Sequence, residues 1–140
     1  MNLVVDTSIA VKWYFPEEHQ DAALRVLSDL HTLSAPDLLT VEFTNVLWKH
    51  VRRGTATVAE VRIALDALLG VPLTLYPSAD LVGLALDLAC ETGRTAYDCL
   101  YLALARSQGS QLVTADERFY NALRGSAYAP VVLWVDDIPA

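Results

Sequence analysis

The sequence predicts an α/β fold around a mainly parallel, five-stranded sheet, and three observations carry that expectation. Five short apolar runs stand apart along the chain: Leu3-Val4-Val5, Leu33-Ser34-Ala35, Leu73-Thr74-Leu75, Gln111-Leu112-Val113 and Val131-Val132-Leu133. Longer stretches with helical apolar spacing separate them. Pro16, Pro36, Pro72, Pro77 and Pro130 fall at the joints. Strand and helix alternating in this way build βαβ units, whose strands run parallel.

Each element follows from its own residues. Leu3-Val4-Val5 is apolar without alternation, as a strand covered on both faces should be. It ends in Asp6-Thr7-Ser8, residue types that cap a helix, so a helix is predicted over 8–14. Pro16 stops it, and a second helix is expected over 18–31 before the strand at 33–35. After Pro36 comes a helix over 37–53, with Leu39, Phe43, Val46, Leu47 and His50 on one face, then another over 57–69. The strand at 73–75 leads through Pro77 to a helix over 79–92. The next helix, 96–108, is apolar nearly all round and is therefore expected to be buried. The strand at 111–113, a helix over 117–124 and the strand at 131–133 complete about seven helices on five strands. Gly54, Gly70, Gly93 and Gly109 each follow a longer helix, where a left-handed residue is commonly used.

With 140 residues and 54% hydrophobic composition, residues 1–140 are expected to form one domain. The opening Met1-Asn2-Leu3-Val4-Val5-Asp6 has no basic region before its apolar run, and no segment approaches the ~20 apolar residues of a membrane span. A cytoplasmic protein with no membrane contact is the expectation. Cys90 and Cys99 lie inside helical stretches and read as small buried hydrophobes, not as a disulfide or zinc framework. His19, His31 and His50 have no metal-binding spacing, so any bound metal must take oxygen ligands. The net charge of −7 argues against a basic nucleic-acid-gripping surface. Two bound Mg²⁺ would bring that charge to about −3, and an acidic chain suits a basic partner.

Four acidic residues stand out. Asp6 and Asp116 follow strands and would share the rim at the carboxyl ends, where parallel sheets bind ligands. Each would equally serve as the N-cap of the next helix. Asp98 is the one carboxylate of the apolar helix, either in a capping box with Thr95 or facing a site. Glu42 borders the apolar face of its helix, sharing a stripe with Asn45 and Lys49. Carboxylates converging on one rim raise each other's pKa unless a cation compensates. Mg²⁺ does so with oxygen ligands and activates water for attack on a phosphodiester.

Four segments resemble the PIN-domain nucleases, and within them the VapC-type toxins of toxin–antitoxin pairs. Leu3-Val4-Val5-Asp6-Thr7-Ser8 is similar to the family's opening strand and first acidic position, and Glu42-Phe43-Thr44-Asn45-Val46-Leu47 to its second. Ala96-Tyr97-Asp98-Cys99-Leu100-Tyr101-Leu102-Ala103-Leu104-Ala105 is similar to the third motif and Leu112-Val113-Thr114-Ala115-Asp116-Glu117-Arg118-Phe119 to the fourth. The resemblance implies a PIN-like three-layer fold with strand order 3-2-1-4-5. It implies Mg²⁺ or Mn²⁺ held chiefly by Asp6 and Asp98, completed by Asp116 and Glu42, with Ser8 and Thr114 in support. It further implies endonucleolytic cleavage of RNA, often transfer or ribosomal RNA, a cognate VapB-type antitoxin and a homodimer. Arg52, Arg53, Arg94 and Arg118 are the candidates for holding RNA.

Two other readings fit the sequence less well. A phosphatase of the haloacid-dehalogenase type wants Asp-x-Asp after the first strand, and a receiver domain wants an Asp after its third and a Lys near its last; neither is present. A catalytically silent PIN-like module that binds RNA or protein would have no use for four mutually repelling carboxylates.

Overall fold

The structure, a computed structural model, describes residues 1–140. Its strands are β1 (Asn2–Val5), β2 (Thr32–Pro36), β3 (Leu73–Tyr76), β4 (Gln111–Thr114) and β5 (Val132–Trp134). Its helices are α1 (Thr7–Lys12), α2 (Gln20–Arg25), α3 (Leu38–Arg52), α4 (Val58–Leu69), α5 (Val82–Thr92), α6 (Ala96–Gln108) and α7 (Glu117–Arg124). The strands form one sheet in the order β3-β2-β1-β4-β5, and every pairing is parallel.

Consecutive residues of a strand point to opposite faces. Leu3, Val4 and Val5 are nevertheless all buried, as are Leu112, Val113 and Thr114. The central strands are therefore covered on both sides, which is why they lack polar alternation. α6 packs against β1, β2 and β4 with α5 behind it, while α1 and α3 contact β4 and β2. Every residue from Cys99 to Ala105 is buried, as the all-apolar sequence of α6 requires. Exposure returns at its two ends, at Tyr97 in the first turn, 62% exposed, and at Arg106, Ser107 and Gln108 in the last.

Several expectations shift. The predicted second helix shortens to Gln20–Arg25, because the chain must turn to enter β2; Leu30 O accepts from the Met1 amino group at 2.7 Å, and Thr32 N donates to Met1 O. The fifth begins as a 3-10 turn over Ser78–Asp80 before α5. β5 lies one residue later than expected, which brings Trp134 into the sheet. Gly54, Gly93 and Gly109 have positive φ. Gly70 does not, since at φ −91° it continues right-handed and needs no glycine. Cys99 is buried but Cys90 is exposed, because it sits on the outer face of α5, away from buried Ala85 and Leu88. No helix is long and apolar enough to cross a membrane.

Candidate active site

The sheet order delivers the acidic residues to one rim. β1 and β4 are neighbours with Val5 beside Val113, so the residues that follow them, Asp6 and Thr114, meet. Asp6 is the N-cap of α1, its Oδ1 accepting from Ile9 N. Asp116 likewise caps α7, accepting from Phe119 N at 3.2 Å. The capping reading and the rim reading thus hold together for both residues.

Asp6 is only 8% exposed, and hydroxyls hold both its oxygens. Ser8 Oγ donates to Oδ1 and Thr114 Oγ1 to Oδ2, each at 2.5 Å. These hydroxyls are themselves fixed, accepting from Ala115 N at 2.9 Å and Asp116 N at 3.1 Å. Burial pushes the Asp6 carboxyl up to about 6; the Ser8, Thr114 and Ile9 hydrogen bonds oppose the rise, and the charge of Asp116 adds to it.

Asp98 lies in the first turn of α6, where Thr95 accepts from its backbone N at 3.1 Å. The reciprocal half of the expected capping box is not made: the Asp98 side chain turns to Arg94, with Nη2 to Oδ2 at 3.4 Å. A short Asp reaches a neighbouring guanidinium more readily than the backbone amide a longer Glu would meet. Burial raises the Asp98 carboxyl, Arg94 lowers it, and the charges of Asp116 and Glu42 raise it further.

Glu42, in the second turn of α3, is half-buried and not a solvated border residue. Its Oε1 accepts from Thr7 Oγ1 at 2.9 Å and from Tyr101 OH at 2.5 Å. Burial first, and then the charge and hydrogen bond of Glu42, drive the Tyr101 hydroxyl far upward, so it stays protonated as a donor. Thr7 and Tyr101 escaped the sequence reading. The available signals were the second residue of Asp-Thr-Ser and the tyrosine three residues after Asp98, on the same face of α6.

The four carboxylates therefore come from four elements: the charge of Asp116 acts on both Asp6 and Asp98, and that of Glu42 acts on Asp98. They do not converge on one point: no three acidic, histidine or cysteine side chains form a ready cage for a metal ion. Like charges at close range repel, and each carboxylate turns to a nearer donor instead. The donor chemistry still suits a hard divalent cation, since every candidate ligand is oxygen. The bonds to Asp98, Asp116 and Glu42 occupy one oxygen each, Oδ2, Oδ1 and Oε1, leaving the other for a ligand.

The arginines divide. Arg94 pairs with Asp98, lies 5.9 Å from the Phe119 ring and has a buried Nε without a partner. Arg118 is exposed beside Asp116. Arg52 and Arg53, also candidates for holding RNA, lie at the far end of α3 from Glu42. Arg52 follows Glu42 by ten residues on α3, about 15 Å along the axis at ~1.5 Å per residue, and it covers Trp48 at 5.4 Å.

A PIN-domain model matches residues 3–124. Over 120 residues the chain is 38% identical to Ribonuclease VapC3 of Pyrobaculum aerophilum, covering 84% of this chain and 92% of that one. It is 32% identical to Ribonuclease VapC3 of Mycobacterium tuberculosis over 86% of each. Among solved structures, PAE2754 of Pyrobaculum aerophilum superposes over 97% of this chain and 85% of its own with a TM-score of 0.69 and 26% identity. VapC20 of Mycobacterium tuberculosis, a sarcin-ricin-loop-cleaving toxin, shares the fold at TM-score 0.64 and 19% identity, over 86% and 94%. So does a toxin–antitoxin complex from Klebsiella pneumoniae, at TM-score 0.59 and 16% identity, over 94% and 95%. With the family's domain matched over most of its length and a relative of that identity nearly fully covered, the chain belongs to the PIN-domain family, in its VapC-type branch.

Proposed function

We propose that this protein is a Mg²⁺- or Mn²⁺-dependent endoribonuclease and the toxin of a VapBC-type pair, with Asp6, Glu42, Asp98 and Asp116 as its active site. The observation that carries the reading is Asp6: a buried carboxylate beside Asp116, clamped by two hydroxyls at the carboxyl edge of a parallel sheet. Burying a charge there without a task is costly. Asp6 and Asp98 would hold the ion chiefly, with Asp116 and Glu42 completing the site directly or through water. When bound, the ion would supply Lewis acidity and an activated water for cleaving a phosphodiester.

The chain's own part is preorganisation. Ser8 and Thr114 fix both oxygens of Asp6, and Thr7 and Tyr101 orient Glu42, so little reorientation accompanies substrate binding. Arg94, partly exposed beside Asp98, would offer its guanidinium to a phosphate oxygen. Structured or single-stranded RNA is the substrate class, transfer or ribosomal RNA in particular, a reading supported by the relatives named ribonucleases and by VapC20. The Klebsiella pneumoniae complex supports a cognate antitoxin that covers the groove. Exposed Val58, Ile63 and Leu69 on α4 and Val82 and Leu86 on α5 support a homodimer. The single buried cluster supports one domain over residues 1–140.

End-labelled single-stranded and transfer RNAs, incubated with Mg²⁺, Mn²⁺ or EDTA, test the reading. Cutting that needs the metal and disappears in Asp98→Asn is expected. Cutting that survives EDTA, or is undiminished in Asp98→Asn, contradicts it. Failure to cut any RNA by folded protein with verified Mn²⁺ binding would favour the silent-module reading instead.

A further inference from the structure

Beside the acidic rim lies a cavity that the four carboxylates do not use. It is an open pocket of about 440 Å³, lined by His19, Tyr120, Asn121, Arg124 and Trp134 and by three carboxylates, Glu18, Glu117 and Asp137, a size within the ~300–1,000 Å³ of small-ligand sites. One wall, α7, follows directly from Asp116, and the others come from β5 and the turn before α2. The β4–β5 register sets Trp134 beside Thr114, whose hydroxyl holds Asp6. Tyr120 stands one helical turn after Asp116, donating its backbone N–H to Asp116 O at 2.9 Å.

The cavity presents flat aromatic surfaces. The Trp134 ring lies 5.3 Å from His19 at 81° and 5.3 Å from Tyr120 at 49°. No ring lies flat on another: an edge-to-face contact covers only one face of one ring, which leaves the remaining faces free to stack. Phe15 and His50 are the contrast, stacked at 4.0 Å and 1°. Asp136 fixes the arrangement: Trp134 Nε1 donates to its Oδ2 at 3.3 Å, and His19 Nδ1 meets its Oδ1 at 3.0 Å. His19 is also the only non-glycine residue with positive φ, 65°, a backbone that histidine tolerates and that the Asp136 contact holds in place. Half-buried planar faces favour planar π systems, which every nucleobase has. Asn121 and Glu117 offer groups for a base edge, and Arg124 a cation for a phosphate.

We infer that this cavity is a base-binding subsite that takes one unstacked nucleobase of the RNA adjoining the acidic site. The inference rests on the ribonuclease reading above. The subsite holds the strand in register, and Trp134 and Tyr120 act as positioning residues through stacking.

The test combines anisotropy of a labelled single-stranded RNA in EDTA with cleavage kinetics in Mn²⁺. Trp134→Ala is expected to weaken binding about tenfold and to raise KM while leaving kcat nearly unchanged; Trp134→Phe restores both. In a series of RNAs carrying one abasic nucleotide at each position in turn, one position reproduces the loss in the wild type and adds nothing in Trp134→Ala. If the wild type cuts RNA but a folded Trp134→Ala binds equally well and no abasic position matters, the subsite is overturned and the ribonuclease reading stands. If the wild type neither binds nor cuts RNA, both fall. Should Trp134→Ala fail to fold, the abasic series on the wild type decides alone: sensitivity at one position supports the subsite, and uniform insensitivity overturns it.

Discussion

Asp6 destabilises the metal-free fold where it stands. Its carboxyl rises from 3.8 to about 6 on folding, chiefly through burial. Between those values the native state keeps a proton that the unfolded chain has released, so stability falls as pH rises through that window and is level above it. About two pKa units at ~1.36 kcal/mol each give about 3 kcal/mol. In EDTA at pH 7, Asp6→Asn, which can still cap α1, should therefore be about 1–3 kcal/mol more stable than wild type. Urea denaturation at pH 7 and pH 4 checks this: the advantage should shrink towards pH 4, and an advantage that grows there would contradict it. Thr114→Val acts in the opposite sense. It removes a donor to Asp6 and an acceptor for Asp116 N, so cleavage should drop about 10–100-fold and the acidic limb of the pH–rate profile should move up. Tyr101→Phe removes one of two donors to Glu42 and should cost about 1 kcal/mol of stability.

At the scale of elements, α6 is the helix on which the site depends. Thr95 caps it and thereby sets the first turn that carries Asp98. Thr95→Ala should lower stability by about 1 kcal/mol and reduce cleavage with it, whereas the conservative Thr95→Ser should restore both, read by thermal unfolding and initial rates. The existence of the elements was legible in the sequence because the signals are local: apolar period, capping residues, proline and glycine. α3, α4, α6 and α7 match their predicted spans closely for that reason. What was not legible depends on contacts distant in sequence. The shortening of α2 follows from the amino terminus meeting Leu30. The placement of Trp134 in β5 follows from pairing with β4. At the site, Asp6, Asp98 and Asp116 announced themselves as charges after strands or inside an apolar helix. Thr7, Tyr101 and the His19–Asp136–Trp134 group carry no such contrast, and they become visible only when residues up to 117 positions apart meet.

At the scale of the molecule, parallel topology explains how four residues spread from Asp6 to Asp116 share an edge. The order β3-β2-β1-β4-β5 puts β1 and β4 side by side at the centre, so the two strands with capping aspartates end together. On the proposed reading, a molecule of net charge −7 would bind RNA through few cations and through the metal. The salt dependence should be correspondingly shallow: at about −0.7 per phosphate for a single strand, three or four contacts give a log–log slope no steeper than about −3. A filter-binding series in KCl with Mg²⁺ held constant reads that slope. The central claim, that four carboxylates from separate elements make one metal site, is tested most directly by titrating Mn²⁺ into wild type and into Asp6→Asn, Asp98→Asn, Glu42→Gln and Asp116→Asn, each verified as folded. Binding abolished in the first two variants and weakened about tenfold or more in the others is the predicted result. Mn²⁺ affinity that is unchanged in Asp6→Asn and Asp98→Asn would contradict it.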